Sequence, residues 1–212
     1  MPSAKPVIVD TNCYVRLYQS PVRPILGSEF GGYRLVTLKV LRLECRPGTR
    51  VYEMYPHMKQ EDVQQELEAA CLKLREPKTG KVELAAQAAL NLGNRALAAY
   101  CAEKKTQLLR KLSKADASAY AAADVLKGAL ATDEWPLRVA TVAMNPDMEL
   151  LDTVGVLHRM EQAGAITADQ RRHTLRMVLL ADEDRPRCWE ESCQQLFSEP
   201  LPDGQAPRSQ SA

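Results

Sequence analysis

Aromatic and imidazole side chains are scarce in this chain: its 212 residues include two Trp, seven Tyr, two Phe and three His. Histidine-based acid–base catalysis therefore has little to draw on, and His57, His158 and His173 fall outside every motif described below. Few rings are available to stack on nucleobases. Tyr14, Tyr18 and Trp135 lie nearest the polar motifs, and packing is the commoner role for such residues. An excess of one charge is also missing, since 28 Lys and Arg against 27 Asp and Glu leave a formal net charge of +1. That excludes a broad basic field for nucleic acid, although local cations still position phosphates, and Arg16, Lys39, Arg42 and Arg46 are candidates. No Cys-x-x-Cys pair occurs among Cys13, Cys45, Cys71, Cys101, Cys188 and Cys193, so free thiols in a reducing compartment are expected. Cys188, Cys193 and His173 lack an evident fourth ligand, which argues against zinc. No apolar run approaches the roughly 18 residues of a membrane span. Met1 to Pro6 leads straight into an apolar stretch too short for a signal-peptide core. A soluble, cytoplasmic protein with no membrane partner is the expectation.

The length suits one well-buried core. The expected organisation is a domain over 1–182, with a helical insertion at about 60–112, followed by a largely disordered tail over 183–212. Within the insertion, Val63, Leu67, Cys71 and Leu74 recur at helical spacing before Pro77-Lys78-Thr79-Gly80 breaks the run. A second helix then runs through Leu84, Ala88 and Leu92, past a weak point at Gly93-Asn94, to Leu97, Cys101, Leu108 and Leu112. Together the two predict an αα-hairpin. Lys78-Thr79-Gly80-Lys81 is not a phosphate-binding loop, because the upstream glycine is absent and no apolar strand leads in. Val139 to Met144 fits a short strand or a helix begun near Pro136. A last strand is expected at Met148–Leu151, a helix at Val154–Ala163 ended by Gly164, and another at Ala168–Leu180 capped by Thr167. Trp189, Leu196 and Phe197 are candidates to dock a short helix.

What the chain does have is a set of acids at the tips of strands and helices. Val7-Ile8-Val9 reads as a strand that delivers Asp10 into the polar turn Thr11-Asn12. In open α/β sheets ligands gather at the carboxyl ends of the strands, although an Asp there also caps the next helix. Arg34 to Leu38 reads as a second strand, followed by a helix that carries Glu44. Ser113 is a candidate N-cap for an Ala-rich helix with Asp116 at its third position, where the helix dipole also favours an acid. Gly128 to Thr132 forms a short buried strand ending in Asp133-Glu134.

This ordered set resembles the PIN-domain family of metal-dependent nucleases, which includes the ribonuclease toxins of bacterial toxin–antitoxin pairs. The likeness rests on Val9-Asp10-Thr11-Asn12-Cys13-Tyr14-Val15-Arg16-Leu17, on Leu41-Arg42-Leu43-Glu44, on Asp116-Ala117-Ser118-Ala119-Tyr120 and on Leu130-Ala131-Thr132-Asp133-Glu134. It extends over about residues 5–182. The resemblance implies a three-layer α/β/α fold with a central parallel sheet, here with the helical hairpin inserted. It also implies an endoribonuclease using Mg²⁺ or Mn²⁺, an RNA substrate that is single-stranded or exposed in loops, an antitoxin partner, and a homodimer.

Crowded carboxylates raise one another's pKa until a divalent ion neutralises them, and Mg²⁺ and Mn²⁺ favour oxygen ligands. The expected ligands and catalytic acids are Asp10, Glu44, Asp116 and Asp133, with Glu134 as a further ligand. Thr11, Asn12 and Thr132 are expected to support metal-bound waters, and Arg16 and Lys39 to position substrate. For the fourth acid the family pattern points to Glu134, whereas position at the strand tip points to Asp133, and the shorter side chain favours Asp133. Two other functions compete. A PIN-like module that binds partners without hydrolysis would be marked by a missing acid, and none is missing. An aspartyl phosphatase using Asp10 as nucleophile would need an acid two residues on, where this chain has Asn12.

Overall fold

The computed structural model describes residues 4–107, 110–181, 186 and 188–202. The chain enters through strand β1 (Lys5–Val9) and helix α1 (Thr11–Tyr18), then forms an edge hairpin of β2 (Glu29–Phe30) and β3 (Tyr33–Val36). Short helices α2 (Lys39–Leu43) and α3 (Arg50–Met54) precede α4 (Glu61–Ala70) and the long α5 (Lys78–Glu103). Helix α6 (Lys114–Val125) leads to β4 (Ala129–Ala131), α7 (Trp135–Met144), β5 (Glu149–Leu151) and α8 (Thr153–Gln162). Helices α9 (Ala168–Ala181) and α10 (Cys188–Phe197) follow.

The strands form one sheet in the order β2-β3-β1-β4-β5, parallel throughout except for the β2 edge. Side-chain alternation sends Val7, Val9, Leu35, Ala129 and Ala131 to one face and Ile8, Val36 and Leu130 to the other. Burial on both faces explains why these strands read as continuous apolar runs. The first face is covered by α1, α4, α8, α9 and α10, the second by α2, α5, α6 and α7, giving a three-layer α/β/α arrangement. From β1 the chain crosses towards β3, and from β4 it crosses the other way, to β5. A crevice therefore opens at the carboxyl ends of β1 and β4, the usual ligand position in such sheets.

The expected αα-hairpin is not formed. Val63 and Leu67 of α4 enter the core on the first face, whereas Val82, Ala89 and Leu97 of α5 enter the core on the second. Nor does α5 weaken at Gly93-Asn94. A β-carbon on Gly93 would lie 2.4 Å from Leu112 Cδ1 and 3.3 Å from Ala140 Cβ, so the glycine admits close packing against α7 and the approach to α6. Asn94 Oδ1 accepts from the Leu112 N–H at 2.9 Å, which ties α5 to the segment entering α6. Leu108, expected to extend the helix, lies outside the described residues.

Val139 to Met144 is helical, within α7, and Pro136 occupies its first turn, where the missing N–H costs nothing. The Thr167 hydroxyl accepts from Gln170 N, and Gly164 turns the chain after α8 with φ 68°. The expected tail is corrected in part, because α10 is helical and Trp189 and Cys193 are fully buried in the first-face core. Residues 203–212 lie outside the described residues. No described helix is long and apolar enough to cross a membrane.

Candidate metal centre

Asp10 follows β1 directly and caps α1, its Oδ1 accepting the Thr11 N–H at 2.7 Å. From the neighbouring strand tip, the Thr132 hydroxyl donates to Asp10 Oδ2 at 2.9 Å. Glu44 stands at the C-cap of α2 and accepts from the Thr11 hydroxyl at 2.5 Å. Asp116 completes a capping box with Ser113: Oδ2 accepts from Ser113 N at 2.7 Å, and Asp116 N donates to the Ser113 hydroxyl at 3.0 Å. The cap and the candidate ligand are thus one residue, at Asp10 and at Asp116 alike. Glu134 is held by the Asn12 amide and by an ion pair with Arg110. All four acids line a single cavity of about 850 Å³.

Burial is the main reason the Asp10 carboxyl is pushed up to about 8, followed by the charges of Asp116 and Glu134, with Glu44 adding less and the Thr132 hydroxyl opposing. Burial raises Glu44 as well; Thr11 opposes the shift, Asp116 and Glu134 reinforce it, and Arg110 counters it. The four acids therefore feel one another electrostatically. They do not yet converge, since among the described residues no three His, Cys, Asp or Glu side chains form a metal-holding group. Each carboxylate is turned onto its own hydrogen-bond donor instead. The potential ligands on the cavity wall are nevertheless mostly oxygen, from carboxylates, hydroxyls and the Asn12 amide, with the Met54 thioether beside them and no His or Cys among the described lining residues. That set fits Mg²⁺ or Mn²⁺ and not zinc.

Asp133, favoured at the strand tip, is differently engaged. Its Oδ1 accepts from Thr153 N at 2.9 Å and Trp189 Nε1 at 2.8 Å, and its Oδ2 accepts from Arg16 Nη1 at 2.7 Å and the Thr153 hydroxyl at 2.6 Å. With both oxygens used, Asp133 borders the cavity as a structural acid while its neighbour Glu134 stands with Asp10 and Glu44. Consecutive side chains leave extended backbone in opposite directions, so the two neighbouring acids meet different partners.

Arg16, expected to position substrate, is buried against Asp133, its guanidinium 5.4 Å from the Trp189 ring centre. Lys39 is exposed at the start of α2 and is not among the residues lining the cavity. Arg42 pairs with Glu68. Tyr14 and Tyr18 stack on each other in the core, whereas Trp135 is partly exposed beside Glu134. Besides the buried Arg16, the described cations on the cavity wall are Arg50, Arg110 and Lys114, all three exposed. Sequence reasoning passed over them, although Arg110, Lys111 and Lys114 form a basic run just before Asp116. Trp189 was marked in the sequence only as a residue to dock a short helix, and nothing local linked it or Thr153 to Asp133.

Comparison with models of known protein families, with curated proteins and with solved structures gave no match to this chain.

Proposed function

We propose that this chain is a divalent-metal-dependent endoribonuclease of the PIN-domain kind, cutting RNA phosphodiesters at the cavity beyond β1 and β4. One observation supports the reading above the rest: Asp10, Glu44, Asp116 and Glu134, brought from four separate parts of the chain, line one cavity in which Asp10 keeps its proton up to about pH 8. Capping accounts for Asp10 and Asp116 singly but not for their crowding with Glu44 and Glu134, which a cation relieves.

A bound Mg²⁺ or Mn²⁺ would supply positive charge at the phosphate oxygens and lower the pKa of its water. Asp10, once deprotonated, would hold the ion together with Glu44, Asp116 and Glu134 as the other oxygen donors. Thr11 and Thr132 hold the Asp10 carboxylate from two sides, and Thr11 also holds Glu44. Asn12 orients Glu134. Arg110, which pairs with Glu134 when no ion is present, would face phosphate charge with Arg50 and Lys114 along the same wall. Trp135 is exposed next to Glu134 and suits stacking on an unpaired base.

In this reading the protein acts in the cytoplasm, either alone or as the toxin of a toxin–antitoxin pair. The exposed Leu84 and Leu92 on α5 offer an apolar face to an antitoxin helix or a second copy. A hydrolytically silent, partner-binding module is the second reading, favoured by the engagement of every acid with its own donor. Purified protein incubated with single-stranded RNA and Mn²⁺, with and without chelator, separates the two. Cleavage that stops on chelation and is abolished by Asp10→Asn and Glu44→Gln supports the nuclease. Cleavage surviving exhaustive chelation removes the metal, and absence of both cleavage and Mn²⁺ binding leaves the binding module.

A further inference from the structure

The residue between Thr132 and Glu134 is held from the far end of the chain. Thr132 donates to Asp10, and its hydroxyl accepts the Glu134 N–H at 3.0 Å, so the turn Thr132-Asp133-Glu134 carries one acid and fixes another. Asp133, in the middle, sets that turn through four hydrogen bonds. Two come from Thr153 at the start of α8, one from Arg16 on α1 and one from the Trp189 indole on α10. We propose that Trp189 is a positioning residue for the metal centre, holding the Thr132–Glu134 turn in register through Asp133. The proposal rests on reading Asp10, Glu44, Asp116 and Glu134 as ligands.

Packing alone does not account for the indole. A Phe or Leu would fill an apolar site, whereas here a ring N–H is aimed at a carboxylate that is 1% exposed and lies next in sequence to two residues of the centre. The same ring, fully buried, lies against the Arg16 guanidinium, and so shields the Arg16–Asp133 pair from water. Shielding makes that pair more rigid, because charge-assisted hydrogen bonds strengthen as the local dielectric falls. Helix α10 is itself anchored at the neighbouring strand tip: the Ser192 hydroxyl donates to Asp152 Oδ2 at 2.5 Å, and Asp152 Oδ1 caps α8 through Gly155 N at 2.6 Å. Past its C-terminal end, Glu199 pairs with Arg171 and Arg172 of α9. The turns after β4 and β5 are therefore both tied to one helix, and only the first of them carries residues of the centre.

Trp189→Phe keeps a buried ring and deletes the donor. We expect the variant to fold, to bind Mn²⁺ about fivefold to tenfold more weakly as read from free Mn²⁺ by electron paramagnetic resonance, and to lose kcat with little change in KM for RNA. Val178→Ala, in the same core but on α9, serves as the control for simple destabilisation and should leave the Mn²⁺ affinity of the folded protein unchanged. A Trp189→Phe affinity within twofold of wild type overturns the proposal. If that variant fails to fold, β-3-benzothienylalanine at position 189 in a Trp135→Phe background replaces the N–H by sulfur in a nearly isosteric ring, and its Mn²⁺ affinity relative to Trp135→Phe alone decides by the same limits. Wild-type protein that binds no Mn²⁺ removes the metal reading itself and this proposal with it. Weak binding by the variant alone bears only on Trp189.

Discussion

An unfolded aspartate loses its proton near 3.8, whereas Asp10 in the folded chain keeps its proton to about 8. Between those values the folded state binds more protons than the unfolded one, so the contribution of Asp10 to stability falls as pH rises through that window. Asp10→Asn should flatten this dependence and raise the melting temperature of the metal-free protein above pH 8, where the ionised carboxyl costs most, while abolishing RNA cleavage. Calorimetry across pH 4–9 checks it, and a wild-type profile that rises over the window would contradict the buried, crowded setting of this carboxyl. The pair Asp133 and Glu134 provides a second test. Asp133→Asn places an amide against four donors and removes the charge that faces the buried Arg16, which should cost about 3 kcal/mol or more in urea denaturation. Glu134→Gln should cost little stability and should instead weaken Mn²⁺ binding and cleavage. Position at the strand tip favoured Asp133, but its engagement by Thr153 and Trp189, partners 20 and 56 residues away, was not legible in the sequence.

At the scale of elements, legibility followed from whether a signal was local. Strands β1 and β4, the capping box at Ser113–Asp116 and the end of α8 at Gly164 were readable because apolar runs, caps and a turn glycine act within a few residues. The two-residue strand β2 was missed, being too short to show a period. The hairpin expectation failed for another reason: spacing picked the buried Val63 and Leu67 on α4, but on α5 it picked the exposed Leu84, Ala88 and Leu92 besides the buried Leu97, whereas Val82 and Ala89 join Leu97 in the core on the other sheet face. At α10, Trp189 and Phe197 dock a short helix as expected while Leu196 stays exposed, and the buried Trp outweighs the charged, Pro-rich surrounding that predicted a tail over 183–212. Trp189→Ala should therefore cost about 3–5 kcal/mol in urea unfolding, the range for deleting a buried aromatic. A value near zero would return this segment to the status of a dispensable tail.

For the molecule as a whole, the net charge of +1 conceals a separation of charge, with four acids in the cavity and Arg50, Arg110 and Lys114 along its wall. The total was visible in composition. The separation was not, because α3, the segment before α6 and the first residue of α6 meet only in the fold. Arg110 lies at the junction of the two regions, half-exposed and paired with Glu134. It neutralises part of the acid cluster when no ion is bound, so it competes with a cation for the same carboxylate. Removing it should then act in opposite directions on the two ligands of the site. Arg110→Ala should tighten Mn²⁺ binding, because Glu134 is no longer shared and Glu44 loses a nearby positive charge. It should weaken RNA binding at the same time, and reduce the slope of log affinity against log salt by about 0.7, one single-strand phosphate contact. Its direct cost to stability should stay below about 1 kcal/mol, as for other half-exposed ion pairs. RNA binding titrated at several salt concentrations, beside Mn²⁺ binding on the same protein, reads both effects. An Arg110→Ala variant that loses affinity for both ligands together would show that this arginine holds the cavity in shape and does not mediate between cation and phosphate.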